Sequence, residues 1–385
     1  MSPLSRKEYF KTIKARYKES SLRTKSVILD EFCANCGYSR KYAIRKLNKP
    51  LVRNPRSLIQ QKPGPKSRYD CPGIRRILET IWKAANFPCS KRLKAILPLW
   101  IPWYQKELGL LNLDLLRSLR QISPATMDRI MRSARIHFRM RGRCTTKPGL
   151  LLKSHIPVKT NQWDEEKPGF IEADTVAHCG TSMGGLFAST LDCVDIATGW
   201  TEQRAVFGKG HPQMIEQLKD IESSLPFEIL GFDSDNGSEF LNRAILEHFL
   251  HRKRPVQMTR SRAYQKDDNA HVEEKNWTHV RQWLGYRRFS NPRIIGLLND
   301  LYKTEWRILH NFFLPSVKLL LKKRVGSKIF KIHDAPKTPY QRILESKHAS
   351  HQVKEKLQEQ MKNSNPFALR KTIDQKIATI QKLAE

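Results

Sequence analysis

The chain has 385 residues, with 70 Lys and Arg against 37 Asp and Glu and a formal charge of +33 at pH 7, more than one hydrophobic core organises, so several domains and a polyanionic partner are expected. With 39% hydrophobic and 9% aromatic residues it can fold, which excludes a disordered basic tail. No apolar run approaches the ~18 residues of a membrane span and no signal-peptide core follows Met1, so the expectation is no membrane contact and a cytoplasmic, nucleoid-associated protein.

Residues 1–49 read as helical and hold a helix-turn-helix pattern. In KSVILDEFCANCGYSRKYAIRKLN, Ile28, Leu29 and Phe32 form one apolar stripe before a turn at Gly37. Ser39 is placed to cap the next helix, which should bury Ala43, Ile44 and Leu47 and expose Arg40, Lys41, Arg45 and Lys46. A short basic helix after such a turn suits the major groove. The surrounding charge favours that reading over an ordinary solvated face, since eighteen Lys and Arg stand against four Asp and Glu up to Arg68. Cys33 and Cys36 form a CxxC, half of a zinc set. No second pair or close pair of histidines completes four ligands, so packing residues are expected there. The odd count of seven cysteines in an unexported chain also argues against a disulfide framework.

Residues 50–68, with repeated Pro and basic residues and no helical period, read as an extended linker able to lie along DNA. A second helical region spans 69–141. Its end, LDLLRSLRQISPATMDRIMRSAR, is a further helix-turn-helix candidate, with Ser123 as cap, Pro124 in the first turn, and Met127, Ile130 and Met131 inside. Arg129 and Arg132 lie on other faces and are candidate DNA contacts. A linker at 142–166 follows.

The segment 167–312 alternates between strand and helix. GFIEADTVAH, LFASTLDCVDI and GWTEQRAVF read as strands. Helix PQMIEQLKDIESSL, strand EILGFDSD, helix SEFLNRAILEHFLHR, strand PVQMT and a helix carrying Glu273 follow, giving a mixed α/β sheet with helices on both faces. Asp174 lies on the first strand and Asp235 at the carboxyl end of a later one, where sites of open sheets gather. Glu172 and Asp233 share the faces of Asp174 and Asp235, while Asp192 and Asp195 read as turn and framework residues. In AHVEEKNW, Glu273 shares its helix face with Asn276, Trp277 and Val280 and should look toward the sheet. Glu274 is rotated about 100° away. Three carboxylates in a chain loaded with Lys and Arg suit hard divalent cations, Mg²⁺ or Mn²⁺, at a phosphodiester. A pair of ions about 4 Å apart can clamp the attacking and leaving oxygens. Arg260, Arg262 and Lys266 precede this helix. The spacing places Lys275, His279 and Arg281 on its outward side, as candidate phosphate contacts, with Tyr264 a stacking candidate.

The phrases EADTVAHCG, DCVDIATGWTE, FDSDNGSEF and YQKDDNAHVEEKNWTHVR resemble the catalytic core of insertion-sequence transposases of the retroviral-integrase type, the Asp-Asp-Glu recombinases. The resemblance covers residues near 165 to 312. It implies a ribonuclease H-like fold, selects Asp174 over Glu172 as the first aspartate, and agrees on Asp235 and Glu273 as the catalytic, metal-holding residues. It implies a transposase that binds element ends in double-stranded DNA, nicks, and joins the 3′-hydroxyl to target DNA, acting as a homo-oligomer. The alternatives are a transposase-derived regulator that binds without cutting and a nuclease on the same fold that does not join.

Residues 313–385 read as a basic extension with short β-like pieces, then a peripheral, polar helical tail.

Overall fold

The computed structural model describes residues 3–48, 69, 71–138, 165–208, 211–234, 240, 243–260, 270–325 and 328–384. The chain divides into two units, Met1–Lys66 and Ser67–Glu385. Most of the 50–68 and 142–166 segments therefore lies outside the described residues.

In the first unit three helices, α1 (Pro3–Glu19), α2 (Leu22–Cys36) and α3 (Arg40–Asn48), enclose a small core. Ser21 caps α2 by accepting the Thr24 N–H. Gly37 ends it in the left-handed region at φ 68°, returning its N–H to the Cys33 carbonyl, a conformation that glycine adopts without a Cβ penalty. Ile28, Leu29, Phe32, Ala43 and Leu47 are buried as the spacing predicts, and Cys36 joins them with Cys33 packed alongside. Ile44 is a correction: it is 39% exposed, because the short α3 meets the core only through the face of Ala43 and Leu47.

The second unit opens with α4 (Pro72–Ala84), α5 (Ser90–Leu108), α6 (Leu113–Gln121), α7 (Pro124–Ile130) and α8 (Arg132–His137). Ser123 accepts the Thr126 N–H with Pro124 in the first turn, and Met127 and Met131 are fully buried. Strands β1 (Phe170–Ala177), β2 (Ala188–Asp195) and β3 (Thr201–Phe207), helix α9 (His211–Ser224), β4 (Gly231–Ser234), α10 (Arg243–Leu250) and β5 (Gln257–Arg260) follow in the expected order. The five strands form one mixed sheet, β3-β2-β1-β4-β5, in which β1, β2 and β3 are antiparallel and β1, β4 and β5 parallel.

Each sheet face is covered. Ile171, Ala173, Leu191 and Phe232 pack on Met214, Leu218 and Ile221 of α9 and on Ile245 and Phe249 of α10. The other face lies against a helix built from α11 (Ala270–Lys275), a π-helical stretch at Asn276–Arg281, and α12 (Gln282–Leu284). Beyond it come α13 (Ile294–Leu301), π-helical stretches at Tyr302–Trp306 and Leu309–Phe313, hairpin β6 (Leu319–Val325) and β7 (Lys328–His333), α14 (Pro339–Glu345), α15 (His351–Lys362) and α16 (Pro366–Lys382). Among the described residues no helix is long and apolar enough to cross a membrane.

One large core joins segments that the sequence reading kept apart. Ile77, Leu78, Ile81, Leu97 and Trp100 of α4 and α5 share it with Val280 and Leu284, with Leu298 and Phe313, and with Ile373, Ile377 and Ile380 of α16. The Trp100 indole N–H also donates to the Phe313 carbonyl. The final helix is therefore a wall of the core and not a peripheral tail: its three isoleucines recur at helical spacing and bury one face.

Candidate active site

Alternation along β1 puts Glu172 and Asp174 on the face opposite Ile171 and Ala173, beneath the helix that starts at Ala270. Register extends this polar patch sideways. Asp174 lies opposite Asp192 on β2, Asp192 opposite Gln203 on β3, Glu172 opposite Asp233 on β4, and Asp233 opposite Thr259 on β5. Glu172, Asp192 and Asp233 are buried and Asp174 is half-buried. Gln203 donates its amide to Asp192 at 2.8 Å, and Thr259 its hydroxyl to Asp233 at 2.6 Å. Asp195, on the other face, takes the Gly169 and Thr198 N–H groups and the Thr198 hydroxyl, so it holds a turn as expected. The β1–β4 pairing runs as far as Ala173 and Ser234. The next residue in sequence, Asp235, lies outside the described residues.

Two bonds join the first turns of the Ala270 helix to β1. The Glu172 carboxylate accepts the Val272 N–H at 3.1 Å, and Asn276 donates its side-chain amide to Asp174 at 2.6 Å. Asp174 also accepts the Thr175 N–H through its other oxygen. Asn276 stands three residues beyond Glu273, on the face that the helical spacing assigned to it, with Val280 buried farther along. Glu273 itself is exposed. Glu274 turns to α5, where it forms a salt bridge with Arg92.

Three cations placed outward by the sequence spacing are corrected. Lys275 and His279 are each only 6% exposed, and Arg281 is half-buried with its guanidinium on the Ala177 carbonyl at 2.6 Å. The helix is covered on one side by the sheet and meets α5 through Arg92, which leaves Lys275 enclosed, and beyond Lys275 it is π-helical, so a 3.6-residue projection does not describe the side of His279 and Arg281. Burial lowers the Lys275 ammonium to about 8, opposed by Glu274, while Arg92 adds to the fall and Asp192 opposes it. Burial likewise raises Asp192 to about 7, opposed by the Gln203 bond and by Lys275. His279 stacks against His310, ring centres 4.2 Å apart, and burial holds it neutral.

The other sequence-predicted contacts differ in how far they are buried and in their neighbours. Arg40 is tied to Asp30 and Ser26. Lys46 sits over the rings of Phe10, Tyr38 and Tyr42 and donates to the Tyr38 hydroxyl at 3.0 Å. Lys41, Arg45, Arg129 and Arg132 are exposed, with the Arg45 guanidinium over the Tyr42 ring and Arg129 donating to the Thr126 hydroxyl at 3.0 Å. Arg260 closes β5; Arg262, Tyr264 and Lys266 lie outside the described residues.

Among the described residues no three His, Cys, Asp or Glu stand together to hold a metal ion. Asp174 accepts the Thr175 N–H and the Asn276 amide at a half-exposed position next to the helix of Glu273. An all-oxygen set of carboxylates fits a hard cation such as Mg²⁺.

The chain is 37% identical over 344 residues to an uncharacterized protein, y4rM, of Sinorhizobium fredii (strain NBRC 101917 / NGR234), covering 89% of this chain and 96% of that one. No protein-family model matches. Solved structures with some likeness include the HTLV-2 integrase catalytic core domain in complex with magnesium, at 15% identity and TM-score 0.28 over 39% of this chain and 91% of that one. A chain of the simian T-cell lymphotropic virus intasome in complex with PP2A regulatory subunit B56 gamma gives 12% identity and TM-score 0.33 over 58% and 68%. The catalytic core domain of BIV integrase gives 19% and 0.28 over 47% and 96%.

Proposed function

We propose that this chain, which belongs to the family of the Sinorhizobium fredii protein y4rM, is a DNA transposase with a ribonuclease H-like polynucleotidyl transferase core. The observation that carries the reading is the Asn276–Asp174 bond, which docks the helix of Glu273 on the strand of Asp174 at the polar face of a mixed five-stranded sheet. Asp174, Asp235 and Glu273 are the residues that would hold two Mg²⁺ or Mn²⁺ ions. Bound there, such ions supply activation of the attacking oxygen and charge stabilisation at the phosphate.

The chain's own part is placement. The ties beneath the helix, one buried and one half-buried, hold Asp174 and the Glu273 backbone before substrate arrives, which spares reorganisation during reaction. No covalent intermediate on a side chain is required: water opens the strand at the element end, and the freed 3′-hydroxyl then attacks target DNA. Exposed Lys41 and Arg45 on α3, and Arg129 and Arg132 at α7 and α8, are the cations proposed to meet phosphates or base edges. The +33 charge fits double-stranded DNA as the partner, and two ends brought together call for a homo-oligomer on DNA.

The test is to incubate the full chain with a labelled duplex taken from the DNA flanking its gene, a supercoiled plasmid and Mg²⁺. Labelled strand joined to plasmid, abolished by excess chelator, supports the reading. Binding without cuts would leave a regulator, and cuts without joining a nuclease.

A further inference from the structure

We infer that Glu172 is a positioning residue: its buried carboxylate fixes the helix that carries Glu273 against β1 and so sets where the Glu273 carboxylate stands. The inference rests on the reading of Glu273 as a metal-holding residue and adds a residue to that site's support.

Glu172 is 1% exposed, and Val272, whose N–H it accepts, is fully buried. Val272 lies in the first turn of α11, where backbone N–H groups have no partner within the helix. A neighbouring side chain of the helix start commonly fills that role. Here the acceptor comes from a strand a hundred residues earlier, so satisfying the helix end and seating it on the sheet are one act. A carboxylate suits this place because the first turn carries partial positive charge.

The second tie fixes the phase. Going from Glu172 to Asp174 advances about 6.7 Å along a strand, and going from Val272 to Asn276 advances about 6 Å along a helix. The two rises match, so both bonds form without tilting the helix away from β1. Glu273 falls between the tied residues. With both ties in place its rotation and height are set; without the Glu172 tie the first turn is released, while the Asn276 and Arg281 bonds to β1 remain beyond it. Burial separates the roles of the two β1 acids: Asp174 is half-buried and can share its oxygens with an ion, whereas Glu172 is sealed beneath Val272.

The experiment compares the full-length wild type with Glu172→Gln, which keeps an acceptor oxygen, and Glu172→Leu, which does not. Amide hydrogen exchange of the 270–276 segment is measured along with nicking as a function of Mg²⁺. The expected result is slow exchange of this segment in wild type and in Glu172→Gln, and exchange about tenfold faster in Glu172→Leu with α9 unchanged. Nicking by Glu172→Leu should fall about a hundredfold in kcat, with DNA affinity kept and a higher Mg²⁺ requirement. Glu172→Gln should lose less than about tenfold.

Fast exchange of 270–276 in wild type overturns the inference. So does wild-type nicking by Glu172→Leu, or an equal loss in both variants with no change in Mg²⁺ requirement. If Glu172→Leu does not fold, wild type and Glu172→Gln decide through the same exchange and Mg²⁺ curves. A wild type that never nicks would refute the reading of the site, while the exchange data still decide the tie.

Discussion

Asn276 donates its side-chain amide to the Asp174 carboxylate at 2.6 Å, joining residues 102 apart in sequence. The donor sits one helical turn beyond Glu273, so the bond reports the phase of that helix as well as its contact with β1. Replacing Asn276 by Ala removes the donor and loosens the hold of the helix on Asp174. Nicking should fall by about ten- to a hundredfold with DNA binding retained. Wild-type nicking in Asn276→Ala would show that Asp174 is held by other means.

A pH effect on stability follows from His178, which is fully buried, bonded through Nε2 to the Thr190 hydroxyl at 2.8 Å and stacked on Phe289. Burial, helped by the charge of Arg281, pulls it from 6.5 to about 3. Its folded value is depressed, so the unfolded chain binds more protons between these values. Stability is complete above pH 6.5 and is lost as pH falls toward 3, by about 1.4 kcal/mol per pH unit within the window. The buried His279 and His310 add to the wild-type slope and the raised Asp192 opposes it, so the check is the difference between chains: urea unfolding at pH 7.5, 6 and 5 should give a slope about one proton smaller in His178→Gln than in wild type. Equal slopes would contradict it.

The strands and the cap of α7 were legible because their signals are local: alternation in EADTV, and Ser123 followed by Pro124. The partner of a helix face is not local. The spacing of Ile373, Ile377 and Ile380 announces an apolar stripe, yet nothing in it names α4 and α5 as the surface it meets. Lys275 and His279 were misplaced for a related reason. An outward side exists only where nothing covers it, and the projection used assumes a helix that is not π-helical beyond Lys275. Alternation did place Glu172 beside Asp174, but only the packed helix reveals which of the two reaches the Val272 N–H.

The isoleucines of α16 give a stability test. Ile373 and Ile380 are fully buried, so truncation of either to Ala should cost about 2–5 kcal/mol in denaturant unfolding of the full chain. A change below about 0.5 kcal/mol, the usual size for a surface site, would mean that α16 is peripheral after all.

In the N-terminal unit Arg40 is neutralised by an ion pair with Asp30, whereas exposed Lys41 and Arg45 form no ion pair among the described residues. Lys41→Ala and Arg45→Ala should each weaken binding of a terminal duplex and lower the salt slope by about one. Arg40→Ala, which loses its bonds to Asp30 and Ser26, should change the slope less. Filter binding across a salt series checks this, and the reverse ranking would redraw the DNA face of α3.

The central claim is that Asp174 and Glu273 belong to one metal-holding site, and the adjacent glutamates test it most directly. Glu273 shares its face with Asn276, whereas Glu274 is paired with Arg92 of α5. In the joining assay with Mg²⁺, Glu273→Gln should abolish both nicking and joining while still binding DNA, and Glu274→Gln should retain much of both. An inactive Glu274→Gln beside an active Glu273→Gln, with both variants folded, would contradict the account.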